Sequence, residues 1–292
     1  MFFRGIIPGM CSVLSCLAAT AQTRDCETIL SIAGKELAYP RLSKDNRSIL
    51  YQSNESGKWQ IYIKNLTTGK QRSLSDGKHN DNFPDWDVKN EMVAFTSDRD
   101  GNEEIYLLDL NTTEVKRITS HAGRDIHPYF SPDGRYLLFN STRGNGSLDV
   151  YRHTLSNEKT ERMTATAENE TCARYSPDMK RIVFLRNDDV EDDVYVMDTK
   201  TLKAANLTNT PQVRDGWPVF DNKGTWVYFS SMKSGSFAIY RTDLKGSKIQ
   251  QLIFPAPGEE DARAFISSGG SSLLYNKKKG AAIEIRQCRI VS

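Results

Sequence analysis

The feature that most constrains this chain is a repeat of about 44 or 45 residues, a period that falls in the range of propeller blades. It is anchored on an acidic residue ahead of each unit's first apolar segment: Asp81, Asp125, Glu170, Asp215 and Glu260. One period further back lies Leu37, so the first unit starts without an acid. Each unit then reads alike. A short strand carries Leu42, Trp86, Phe130, Tyr175, Phe220 or Phe265, followed by a turn such as S-K-D-N, D-V-K-N, S-P-D-G, S-P-D-M or D-N-K-G, or the looser S-S-G-G from Ser267. Pro presets φ early in such a turn, Asp bonds the backbone just ahead of it, and Gly or Asn accepts the left-handed region. A second strand ends on Tyr51, Phe95, Phe139, Phe184, Phe229 or Tyr275. A third carries Tyr62, Tyr106, Tyr151, Tyr195, Tyr240 or, in the sixth copy, Ile285, and a fourth closes on Leu74, Ile118, Met163, Leu207 or Leu252.

Four short strands per unit at even spacing predict an all-β fold, a six-bladed β-propeller of four-stranded antiparallel blades. A single four-stranded sheet cannot cover both of its faces, whereas a ring of them packs face to face, and the recurring aromatic columns are expected to form that inter-blade core. The sixth unit ends after its third strand, in I-E-I-R-Q-C-R-I-V-S. The N-terminal C-E-T-I-L-S-I-A-G supplies the missing piece, since Leu30 precedes Leu37 by the same interval as Ile118 precedes Asp125. The N-terminal strand is thus expected to complete blade six and remove the open sheet edge. Repeat alignment sets Cys26 and Cys288 opposite each other across that closure, which predicts a disulfide between them. Cys172, without a partner, reads as a small buried residue.

The first 21 residues read as a signal peptide, leaving a propeller over residues 22–292. Arg4 is followed by an apolar run, and Ala19-Thr20-Ala21 is a small-x-small cleavage site. An alternative processing point is Val13-Leu14-Ser15-Cys16, which resembles a lipoprotein box and would leave Cys16 acylated. The expected location is periplasmic or secreted. No later stretch has the roughly 18 consecutive apolar residues of a membrane span. Charge is nearly even, with 39 Lys and Arg against 37 Asp and Glu, and no basic run forms, which argues against a nucleic-acid partner.

The opening D-N-F-P, D-I-H-P and D-G-W-P, the stretch S-P-D-G-R-Y-L-L-F-N-S-T-R-G and I-Y-L-L-D-L-N-T resemble the TolB-type, WD-repeat-like propeller family over essentially the whole mature chain. The fourth copy has Ala173 and the sixth Arg263 where the pattern has Pro. Some family members carry an α/β domain ahead of the propeller, and this chain is expected to be a stand-alone propeller. The resemblance implies protein or ligand binding, usually without catalysis.

The acids Asp81, Asp125, Glu170, Asp215 and Glu260 are expected at one mouth of the central channel. There they either cap their own loops, with Arg124, Arg174, Arg214 and Arg263 available as partners, or share a hard cation such as Ca²⁺. No cofactor is otherwise required. Beside them runs a second ring, Tyr39, Phe83, His127, Cys172, Trp217 and Ala262, which varies from copy to copy as grafted sites do. Tyr39, Phe83, His127 and Trp217, with Arg124 and Arg214, are therefore the candidate ligand contacts, for a protein, peptide or envelope glycan bound by a monomer. The alternative is a metal-dependent carbohydrate-active lyase or hydrolase using His79, His121 and His127 with nearby carboxylates. No G-x-S-x-G elbow supports a serine hydrolase.

Overall fold

A computed structural model describes residues 24–87, 89–187, 191–267 and 269–290. The leader at 1–21 and Cys16 lie outside the described residues. Among those described, the strands form six four-stranded antiparallel sheets. Their first, innermost strands are Leu37–Leu42, Asp81–Asp87, Asp125–Phe130, Asn169–Tyr175, Asp215–Phe220 and Glu259–Ile266. Five sheets follow chain order. The sixth runs Glu259–Ile266, Ser272–Lys279, Ala282–Arg289 and then the N-terminal strand Arg24–Ser31 on its outer edge. Each innermost strand packs on that of the next blade, and blade six packs on blade one, which closes the ring. No helix among the described residues is long and apolar enough to cross a membrane.

The closure is covalent. Cys26 pairs with Cys288 in the ladder, their Cα atoms stand 4.1 Å apart, and a disulfide joins them. The two ends of the chain are thereby tied across a separation of 262 residues.

The aromatic columns are the core. Tyr51 stacks on Tyr62, Phe95 on Tyr106, Phe139 on Tyr151, Phe184 on Tyr195 and Phe229 on Tyr240, with ring centroids 5.7–5.9 Å apart. Each pair packs against the neighbouring blade: Leu50 and Ile61 of blade one meet Trp86, Val93 and Phe95 of blade two. Leu30, Leu274 and Ile285 of blade six meet Leu37, Ile49 and Tyr51 of blade one. Burying one such side chain stabilises by about 1.5–3 kcal/mol. The Asn140 amide works between blades as well. It donates to Glu170 O at 2.8 Å and its Oδ1 accepts from Cys172 N at 3.2 Å.

In blade six the first and third strands depart from the sequence expectation by one residue, while Tyr275 and the turn from Ser267 keep their expected places. Asp125 stands opposite Ser141 in blade three, and the corresponding pair in blade six is Asp261 opposite Lys277. The anchoring acid is therefore Asp261, buried, and not Glu260, whose side chain is 43% exposed. The same shift replaces Ala262 by Arg263, Phe265 by Ile266 and, in the third strand, Ile285 by Arg286 opposite Tyr275. The cause is a connection one residue longer, through Pro255-Ala256-Pro257-Gly258. A one-residue slip on a strand moves every side chain to the other face.

Candidate functional site: the axial channel

Every innermost strand carries the same irregularity. Between Ala38 and Arg41, Asn82 and Asp85, Ile126 and Tyr129, Thr171 and Arg174, Gly216 and Val219, and Ala262 and Phe265 it holds one residue more than its partner strand. The residue opening each bulge has positive φ: Tyr39 54°, Phe83 54°, His127 55°, Cys172 55°, Trp217 48° and Arg263 59°. This left-handed backbone costs a non-glycine residue about 1–2 kcal/mol, and bulges of this kind re-aim side chains. Side chains of the preceding blade help hold it: Gln52 Oε1 accepts from Phe83 N at 2.6 Å and Ser230 Oγ from Arg263 N at 3.0 Å.

The bulges create two tiers. The first is the predicted ring, with Arg263 in the sixth place. Phe83 and His127 have centroids 4.0 Å apart, Tyr39 meets Phe83 edge-on at 5.2 Å, and Tyr39 Oη lies 3.5 Å from His127 Nε2. Arg263 places its guanidinium 4.6 Å from the Trp217 ring centroid and 5.6 Å from that of Tyr39. Burial, followed by the charges of Arg174, Arg263 and Arg124, holds His127 down to about 3, so its imidazole is neutral at physiological pH. The four aromatic candidates are thus brought together or linked through Arg263. Two small clefts, about 240 and 170 Å³, open beside Trp217, Arg263 and Glu36 at the face where the innermost strands begin, called here the upper face.

The second tier lies two residues further along each strand: Arg41, Asp85, Tyr129, Arg174, Val219 and Phe265. All six line one cavity of about 500 Å³. A cavity touched by one equivalent residue of each blade lies on the propeller axis. Its walls continue through Leu42, Trp86, Phe130, Tyr175, Phe220 and Ile266 to turn residues such as Lys89, Pro132 and Pro177, so it opens on the lower face. Within it Arg41 Nε bonds Asp85 Oδ1 at 2.6 Å. Sequence reasoning passed over Arg41, Asp85, Tyr129 and Val219, and read Arg174 as a partner for the acids and Phe265 as a core strand residue. All six stand in the third place of Y-P-R-L, F-P-D-W, H-P-Y-F, C-A-R-Y, W-P-V-F and R-A-F-I, and a charge just before a core residue on a buried strand was the available signal.

The anchoring acids stand at or near the start of the innermost strands. None lines the axial cavity. Asp81 takes both contacts from Arg99 Nη2 at 3.1 Å, Asp125 pairs with Arg143, and Glu170 with Arg186 at 2.7 Å. Those arginines stack on the aromatic columns of their own blades, so each acid anchors its own blade. Asp215 and Asp261 are pushed up to about 6, chiefly by burial. Asp215 accepts from Thr210 Oγ1 at 3.3 Å, and Asp261 has Lys277 Nζ 3.8 Å away. Arg124 pairs with Glu103, and Arg214 with Asp192 at 2.8 Å, both with outward side chains. Among the described residues no three or more His, Cys, Asp or Glu side chains are grouped to hold a metal. The histidines are separate too: His79 bonds Asp76 Oδ2 at 2.8 Å, and His121 Nδ1 accepts from Gly123 N at 2.9 Å.

The family model of the TolB beta propeller domain matches residues 25–190 and 169–292, which together span nearly the whole chain. The chain belongs to the TolB β-propeller family. TolB from Acinetobacter baumannii superposes with a TM-score of 0.66 at 26% identity, covering 75% of this chain and 54% of that one. An uncharacterized protein of Agrobacterium fabrum is 35% identical over 72 residues, 25% of this chain and 24% of its own length. The chain thus spans about half of the Acinetobacter TolB and a quarter of the Agrobacterium relative. An oligogalacturonate lyase from Vibrio parahaemolyticus has a TM-score of 0.60 at 10% identity, over 92% of this chain and 97% of that one, a likeness of fold alone.

Proposed function

We propose that this TolB-family chain is an exported, non-catalytic binding propeller that receives a segment of a protein, peptide or envelope glycan in the lower mouth of its channel. The carrying observation is the axial cavity of about 500 Å³, built from one varying residue per blade above apolar walls. A concave, largely apolar site with a few convergent polar groups is the usual form of a recognition pocket. Export is supported by the Cys26–Cys288 disulfide, a bond that persists in oxidising compartments, and by the leader-like segment 1–21. The metal-dependent lyase or hydrolase reading shares only a fold with oligogalacturonate lyase, and the histidines it needs are dispersed. Binding is accordingly preferred.

The test is retention of a partner from the host's envelope fraction by the wild type and by Val219→Trp, which fills the cavity. The wild type is expected to retain a discrete partner that a folded Val219→Trp releases. Equal retention by both would contradict the reading.

A further inference from the structure

The floor of the axial cavity carries more positive charge than it neutralises. Arg41, only 4% exposed, gives Nε to Asp85 and Nη1 to Pro40 O at 2.9 Å, while its Nη2 is buried without a hydrogen-bond partner. The other oxygen of Asp85 accepts from Phe130 N at 2.9 Å, so both are engaged. Arg174 forms no ion pair among the described residues. Its guanidinium lies 4.0 Å from the Tyr129 ring centroid, and its Nε is buried and unpartnered. Arg41 flanks the same ring at 5.7 Å, and the Tyr129 hydroxyl is buried without a partner as well. Burial, and after it the charge of Arg174, lowers the proton affinity of Arg41, as expected for a buried cation beside a second one. The rim acids Asp87 and Asp221 accept the N–H groups of their own turns, and among the described residues neither forms an ion pair with Arg41 or Arg174.

Two guanidinium groups and a phenol, each with a buried donor that has no partner, thus belong to residues lining one cavity. A buried cation of this kind is stabilised when an anion joins it, and a planar guanidinium matches a carboxylate best. We infer that the cavity floor is a carboxylate site in which Arg174, Arg41 and Tyr129 together hold an acidic group of a peptide segment of the partner. The source is an Asp or Glu side chain, or a chain terminus. A peptide is favoured over an acidic sugar by the walls. Trp86, Phe130, Tyr175, Val219 and Phe265 offer carbon surface to an apolar neighbour of the acid, whereas a uronate, with hydroxyls around its ring, would set several of them against that surface. This inference rests on the binding reading above and names its ligand class.

The experiment is affinity selection on the full chain from a soluble library of random acetylated heptapeptides, prepared both as C-terminal amides and as free acids. An oligouronate is titrated in parallel. The expected result is enrichment of peptides with Asp or Glu at one fixed position among the amides, or enrichment confined to the free acids if the terminus is the source. Changing that carboxylate to its amide is expected to weaken binding about tenfold or more. Arg174→Gln should erase the difference between acid and amide, and Arg174→Lys should keep part of it, with thermal melting recorded for each variant. Enriched peptides without an acid preference, or a preference that survives in Arg174→Gln, would overturn the carboxylate site and leave peptide binding standing. An oligouronate bound with no peptide enriched would overturn the choice of peptide. Retention of neither would overturn this inference together with the binding reading.

Discussion

At the scale of single residues, equivalent acids occupy two electrostatic situations. Asp81 is buried beside Arg99, so removing its charge leaves a cation stranded in the blade. Asp81→Asn is expected to lower stability by about 2–4 kcal/mol, read by chemical denaturation. Asp215 has no such cation, and burial raises it from 3.8 to about 6. The folded state therefore binds the Asp215 proton more tightly than the unfolded chain does. The stability this contributes is present in full below the unfolded pKa and is lost as pH climbs through about 6. Asp215→Asn cannot titrate, so it should gain on the wild type by about 2–3 kcal/mol between pH 4 and 6 and then run parallel. Parallel curves across the whole range would contradict this account.

At the scale of elements, the bulge in each innermost strand decides what the channel contains. Its cost is met partly by clamps from the preceding blade, of which Asn140 is the most complete. Asn140→Leu should leave Cys172 N and Glu170 O unpaired and cost about 2–3 kcal/mol in melting experiments. Strand number, turn positions and the aromatic columns were legible in the sequence because each rests on local chemistry repeated in every copy. The bulge was not legible. It arises from how neighbouring blades meet, and no residue type marks it, since Tyr, Phe, His, Cys, Trp and Arg all occupy it. Missing it hid the second tier, in which Arg41, Asp85 and Tyr129 read as ordinary strand residues and Arg174 as a partner for the acids. The longer connection before blade six hid Arg263 and Phe265 as well, because an alternating strand read one residue out of step shows its wrong face. The acids misled for a different reason: their cations, Arg99, Arg143 and Arg186, lie near the end of strand two, distant in sequence from the residues they pair with.

At the scale of the whole molecule, the closure of the ring and the opening of the channel are separate matters. The N-terminal strand and the Cys26–Cys288 bond close the ring at the outer edge of blade six, far along the sheet from the innermost strands. Cys26→Ser is expected to lower stability by about 3–5 kcal/mol, because the bond closes a loop of nearly the entire chain, while ligand binding by the folded protein persists. Loss of binding in a folded Cys26→Ser would tie the channel to the closure. The central claim concerns which mouth receives the partner, and site-specific photo-cross-linking in envelope preparations tests it most directly. A photoreactive residue would be placed in turn at Lys89 and Pro177 on the lower rim, at Glu36 by the upper clefts, and at Thr112 on an outer hairpin. Discrete adducts from Lys89 and Pro177, with none above background from Glu36 or Thr112, are the expected result. Adducts from Glu36 alone, or from no position above the Thr112 background, would contradict the account.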